Sequence, residues 1–267
     1  MTKPLKQPSL FIPHGGGPCF FMEWNPPDTW KRMEAYLASL PASLPEKPKA
    51  MVIISAHWEE DEFTVATNPR PEMIYDYHGF PPHTFQIKWN APHDAGLAQK
   101  VLGLIGAAGI KVREDENRGY DHGVFIPLKV AFPTADIPVV IVSLKRDLDP
   151  REHIALGRAL APLRDDGVLI VGSGMSYHNL RQFFGGRENN DASAFDSWLT
   201  GIATAAPQQR DDGLAGWEKA PSARACHPRE EHLLPLMVAS GAAGDDTGTQ
   251  DYSDKVMGLA VSAYRFG

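Results

Sequence analysis

The stretch AMVIIS, residues 50–55, decides the fold class. It is a continuous apolar run rich in β-branched side chains, not one that alternates apolar with polar residues. Such a run fits a strand buried on both faces, in a sheet covered by helices on each side. Two more runs read the same way: VVIVSL at 139–144 and VLIVG at 168–172. Further strands are expected at Ser9–Pro13, Phe63–Thr67 and Met257–Tyr264.

Between these runs lie segments with helical periodicity. Asp28 can cap a helix that carries Trp30, Met33, Leu37 and Leu40 on one face, and Asp94 can cap another with Leu97, Val101, Leu102 and Ile105. A third helix begins near Pro150 with Ile154, Leu156, Leu160 and Leu163, and a fourth carries Phe195, Trp198, Leu199 and Ile202. Alternating strands and helices predict an α/β domain with a central, mostly parallel mixed sheet. Gly185–Asn190, Gln208–Arg224 and Gly241–Asp251 are polar and read as surface loops. No repeat is visible, so residues 1–267 read as a single domain.

Composition narrows the function. The net charge of −7 opposes non-specific nucleic-acid binding, which needs a basic face. No apolar run approaches the roughly 18 residues of a membrane span, and the N-terminal MTKPLKQPSLF does not read as a signal peptide. The two cysteines, Cys19 and Cys226, form no CxxC pair and read as buried thiols in a reducing, cytoplasmic setting. The expected partner is a small molecule; the oligomeric state is left open.

The chain holds ten histidines, and their placement is informative. His14 follows the first strand, His57 follows AMVIISA, and His178 follows VLIVGSGMSY after a short turn. In open α/β sheets ligands bind beyond the carboxyl ends of the strands, so these imidazoles can meet at one edge. His232, in REEHLLPL, opens an apolar helical run and can point back to the same edge. Each alone fits a hydrogen-bonded residue at a strand end; together they suggest a metal site, although the spacing matches no local metal motif. His122, in GYDHGVFIPL, precedes another apolar helix and is either a helix-start residue or an acid–base group. His93 and His153 read as surface residues. His78 and His83, in YDYHGFPPHTF, are expected to border a pocket. His227 is not counted as functional.

Other chemistries fit less well. GSGMS at 172–176 does not match the G-x-S-x-G nucleophile elbow. No phosphate loop is present, and the glycines of FIPHGGGP (11–18) are not followed by the helix of a dinucleotide fold.

Taken together, PHGGGP, SAHW, DHG, HNLR and EEHLLPL, with YDYHGFPPHTFQIKWNAP, resemble the DOPA 4,5-dioxygenase-like branch of the class III extradiol ring-cleavage dioxygenases, the protocatechuate 4,5-dioxygenase superfamily. The resemblance spans nearly the whole chain. It implies one α/β domain with a metal at the carboxyl edge of the strands, and insertion of dioxygen into a catecholic ring to give a muconic semialdehyde. It implies metal ligation by His14, His57 and His232. His178 falls at a position that is either a further ligand or an acid–base group, and His122 at an active-site position near the phenol. The implied cofactor is one divalent ion, Fe(II) for activity, with Zn(II) able to occupy the site. Protocatechuate-type enzymes use two His and one Glu; here His232 stands at the third position, with Glu230 and Glu231 beside it. Two rivals stay in view: a zinc-dependent hydrolase and a non-catalytic metal-binding relative. Gly15–Gly17 are expected to let the backbone pass close to a planar substrate. Trp58, Tyr77, Phe80 and Tyr177 are candidates for the pocket wall.

Overall fold

A computed structural model describes residues 4–183 and 190–267. Eight strands form one sheet in the order β4-β3-β5-β2-β6-β1-β8-β7. They are β1 (Ser9–Pro13), β2 (Ala50–Glu60), β3 (Phe63–Ala66), β4 (Val112–Asp115), β5 (Val139–Lys145), β6 (Val168–Gly174), β7 (Gly248–Val256) and β8 (Leu259–Phe266). The helices are α1 (Lys31–Ser43), α2 (Ala95–Ala107), α3 (His122–Ala131), α4 (Pro150–Leu160), α5 (Pro162–Asp165), α6 (Leu180–Phe183), α7 (Asn190–Ala203), α8 (Pro207–Ala215), α9 (Ala223–Cys226) and α10 (Leu234–Ala243).

The three apolar runs occupy the middle of the sheet. β5, β2, β6 and β1 pair in parallel, with Val52 opposite Val140 on one side and Ile170 on the other. Met51, Val52, Ile53 and Ile54 are fully buried, as expected for strands covered on both faces. Antiparallel pairs close the sheet outward: β3 against β5, and the β7–β8 hairpin against β1. Helix α10 packs on β6, β1 and α4, while α3 lies against β2 and β6 with α1 packed on it. Among the described residues no helix is long and apolar enough to cross a membrane.

Several local expectations change. The Asp94 carboxylate does cap α2, accepting from the Leu97 amide at 2.9 Å. Asp28 caps nothing with its side chain; α1 starts at Lys31, whose amide donates to the Asp28 carbonyl. Gln208–Arg224 is not a surface loop. It contains most of α8, a 3-10 turn at Trp217–Lys219 and the start of α9, with Arg210 and Trp217 buried. Gly241–Asp251 ends α10 and begins β7 rather than forming a free loop. Of Gly185–Asn190, residues 185–189 lie outside the described residues, and Asn190 begins α7. Met257 is not in a strand: β8 begins at Leu259. β4 and β7 were not expected, because their charged sequences, VRED and GTQDYSDKV, lack the apolar run of the central strands.

Candidate metal centre

Four histidines reach the site by different routes. β1 ends at Pro13, and the His14 amide continues the ladder by donating to the Gly174 carbonyl of β6 at 3.1 Å. His57, expected just past its strand, lies inside β2, in an irregular stretch. Ile54 pairs with Val142 and Glu59 with Leu144, so five steps on β2 match two on β5. Such a bulge re-aims side chains. His232 is brought in because Gly174 has no Cβ: a Cβ there would come within 2.2 Å of the His232 carbonyl, which instead accepts from the Met175 amide at 2.9 Å. His178 follows β6, and its amide donates to the Cys226 carbonyl.

The rings of residues 14, 57 and 232 converge. His57 Nε2 lies 3.3 Å from His14 Nε2 and 3.3 Å from His232 Nε2. On each ring the other nitrogen faces an oxygen. His14 Nδ1–H donates to the Gly15 carbonyl at 2.8 Å, and His232 Nδ1–H to Glu231 Oε1 at 2.8 Å. His57 Nδ1 stands 3.5 Å from Asp76 Oδ2. With Nδ1 as the donor, Nε2 keeps its lone pair. Burial, reinforced by neighbouring imidazoles, holds all three well below the ordinary histidine range, so they are neutral near pH 7. Three neutral nitrogens facing one point repel unless a cation lies between them. Nitrogens each about 2.0–2.1 Å from a shared ion stand about 3.3 Å apart at a near-tetrahedral angle. The donor set therefore fits a divalent metal.

Two carboxylates back these rings. Asp76 Oδ1 accepts from both the backbone amide and Nδ1 of His122, at 3.0 and 2.8 Å. Burial works against charge on Asp76, but the bonds and charge of His122, with His57, outweigh it and hold the carboxyl at about 2. Glu231 Oε1, which holds His232, also lies 3.3 Å from His178 Nδ1. Its carboxyl is likewise lowered: burial is outweighed by the bond to His178 and by Arg229. The all-imidazole set thus has negative charge one bond behind it, supplied in part by the Glu231 that sits beside His232 in sequence. Asp76 was missed in the sequence reading, although it lies in the quoted YDYHG segment; a carboxylate beside a histidine-rich loop was the available signal.

His122 and His178 both line the cavity, but in different relations to the triad. His122 packs on His57 with ring centroids 3.9 Å apart. His178 stacks on His232 at 3.3 Å and 14°. The donor atoms of His14, His57 and His232 lie within 4.8 Å of one another; His178 groups instead with Glu231 and His232.

The cavity holds about 420 Å³. Tyr77, Phe80 and His78 line it, as expected, while Trp58 and Tyr177 do not. The Trp58 ring lies under the Arg118 guanidinium, and Tyr177 packs on Phe183. His83 is turned away, its Nε2 on the Phe21 carbonyl. Trp24 and Trp30, Phe183 and Met257, from three distant segments, complete the wall. Gly15–Gly17 line it too, but their bareness serves that wall. Cβ atoms on Gly15, Gly16 and Gly17 would meet Cys19 at 2.3 Å, Trp30 at 3.3 Å and Phe80 at 2.8 Å. His153 is a further correction: it is fully buried rather than on the surface. His93 is half-buried, in a bridge to Val139. His227 is buried, with Nε2 on the Ser176 carbonyl.

Comparison with known proteins gives one answer. Residues 9–266 match the family described as the catalytic LigB subunit of aromatic ring-opening dioxygenase. The chain is 39% identical to a 4,5-DOPA dioxygenase extradiol of Beta vulgaris, over 97% of this chain and 96% of that protein. It is 30% identical to a protein of the same name from Escherichia coli strain K12, over 89% of this chain and 85% of that protein. A crystal structure of an uncharacterized Escherichia coli K12 protein matches with a TM-score of 0.78 and 30% identity, covering 98% of this chain and all of that one.

Proposed function

The chain belongs to the LigB family of aromatic ring-opening dioxygenases, and from that premise we propose that it cleaves a catecholic ring, DOPA-like or a related catechol, beside the diol to give a muconic semialdehyde. Extradiol dioxygenases of this family use a divalent metal, an aromatic substrate and dioxygen. His14, His57 and His232 hold that metal, Fe(II) in the active protein. The observation that carries it is the convergence of three neutral imidazoles, with His57 Nε2 3.3 Å from Nε2 of both His14 and His232 and each ring's Nδ1 facing an oxygen.

The metal supplies charge that acidifies the bound diol and a redox centre through which dioxygen is admitted. The rest falls to the chain. With Nδ1–H held by Asp76, His122 keeps a lone pair on Nε2 and accepts a phenol proton; the Asp76 carboxylate then stabilises the imidazolium. His178, whose Nδ1 lies 3.3 Å from Glu231 Oε1, serves as a second proton carrier rather than a ligand. Tyr77, Phe80, Trp24 and Trp30 present apolar faces to the flat ring and exclude water. Both oxygen atoms of dioxygen enter the product, so no external reductant is needed.

Anaerobic loading with Fe(II), followed by a catechol panel, tests this. The expected result is oxygen uptake equimolar with a yellow product. His122→Ala should lower turnover by about 10²–10⁴-fold with metal affinity unchanged. Intact ring cleavage in that variant removes His122 from the mechanism. The three-imidazole set also suits zinc-activated water; hydrolytic activity with Zn(II) and no oxygen uptake with Fe(II) would favour that rival.

A further inference from the structure

Asp121 is fully buried and stands directly before α3, where a carboxylate ordinarily accepts from the first free amides of the helix. It makes no such bond. The His122 amide is taken instead by Asp76 from a distant segment. Both Asp121 oxygens go elsewhere: Oδ1 accepts from the Ser55 hydroxyl at 2.6 Å and Oδ2 from Arg118 Nη2 at 2.7 Å.

Those two partners grip the backbone of His57 from both sides. The His57 amide donates to Ser55 Oγ at 3.2 Å, and Arg118 Nη2 donates to the His57 carbonyl at 3.2 Å. This is the stretch of β2 that has left regular register with β5, so the sheet ladder alone does not fix it. The space around the grip is filled: a Cβ on Gly123 would come within 2.5 Å of Ser55 Oγ and 3.0 Å of His57 Cδ2.

We propose that Asp121, acting through Ser55 and Arg118, is a positioning residue that locks the His57 backbone and so aims Nε2 at His14 and His232. The assignment rests on the reading of His57 as a metal ligand. Loss of such outer partners typically weakens a site by about 10–100-fold.

The test titrates metal-free protein with Zn(II) against a competing chelator. Asp121→Asn keeps the size of the side chain but removes the charge that holds Arg118. It should weaken zinc binding by about 10–100-fold and speed hydrogen exchange at the His57 and Trp58 amides of the metal-free protein. Asp246→Asn is the control. It breaks another buried arginine pair, with Arg164 at 2.7 Å, before the amino end of β6. It should lower the melting temperature and leave zinc affinity alone; an equal loss of zinc affinity would reduce the Asp121 effect to general destabilisation. If Asp121→Asn does not fold, Ser55→Ala removes the hydroxyl that takes the His57 amide and is read the same way. A folded variant with zinc affinity within twofold of the parent and unchanged exchange overturns the proposal. Failure of the underlying reading looks different: the parent binds no zinc, or His57→Ala binds it equally well. The amide exchange then decides alone whether Asp121 holds that backbone.

Discussion

His153 Nε2 accepts from the Lys145 amide at 3.2 Å while Nδ1–H donates to the Asp149 carbonyl at 2.7 Å. Only a neutral ring can do both. Burial, partly opposed by the bond to Asp149, lowers its pKa from 6.5 to about 4. Between those values the unfolded chain binds more protons than the native one, so this contribution is complete above pH 6.5 and is lost as pH falls toward 4. It makes the fold on the order of 2 kcal/mol less stable at pH 5 than at pH 7. Urea denaturation at the two pH values should show that loss, and His153→Gln should flatten it. The sequence placed His153 outward because a histidine among Arg151, Glu152 and Arg158 looks solvated. Its burial depends on Phe63 of β3, which packs edge-on against the ring at 5.1 Å, a contact between distant segments.

Among elements, the β7–β8 hairpin carries local strain at its turn. Val256 pairs with Leu259, leaving Met257 and Gly258 as a two-residue turn with φ of +51° and +83°. Both positions of such a turn favour Gly, Asn or Asp, and a methionine there costs about 1 kcal/mol or more. Met257 nevertheless lines the cavity, and strained backbone concentrates where a site needs a particular side chain. Met257→Asn should therefore raise the stability by about 1 kcal/mol while weakening catechol binding, followed by quenching of Trp24 and Trp30 fluorescence. Stabilisation with unchanged binding would reduce the turn to a tolerated accident. The bulge in β2 and the aromatic wall over Gly15–Gly17 were equally illegible from sequence. Each is defined by what lies across the sheet or the cavity, whereas periodicity reports only which residues are buried.

At the scale of the whole molecule, the site sits where β1 and β6 end, beside the irregular stretch of β2, and where the chain returns through residues 226–234 to reach α10. Metal binding should therefore tie together segments far apart in sequence. A ligand present at about 100 times its Kd stabilises by about 2.7 kcal/mol, which in a protein of this size raises Tm by roughly 5–10 °C. Zn(II) or Fe(II) should produce that increase and a chelator should reverse it. His57→Ala should abolish the increase while folding without metal. A parent protein whose melting is indifferent to both ions would argue against the triad as a metal centre.

The sequence by itself determined the α/β class, the central strands and the histidines near their carboxyl ends. Those properties follow from local pattern: β-branched apolar runs have one stable setting, a covered sheet, and a residue just past a strand has few directions to go. It also carried the family resemblance, because the motifs are contiguous strings. Only the tertiary structure decided which oxygens hold each imidazole, how far the ring nitrogens stand apart, which aromatics close the cavity and why Asp121 leaves its own helix uncapped. Those are distances between segments tens to hundreds of residues apart, and no local pattern encodes a distance of that kind.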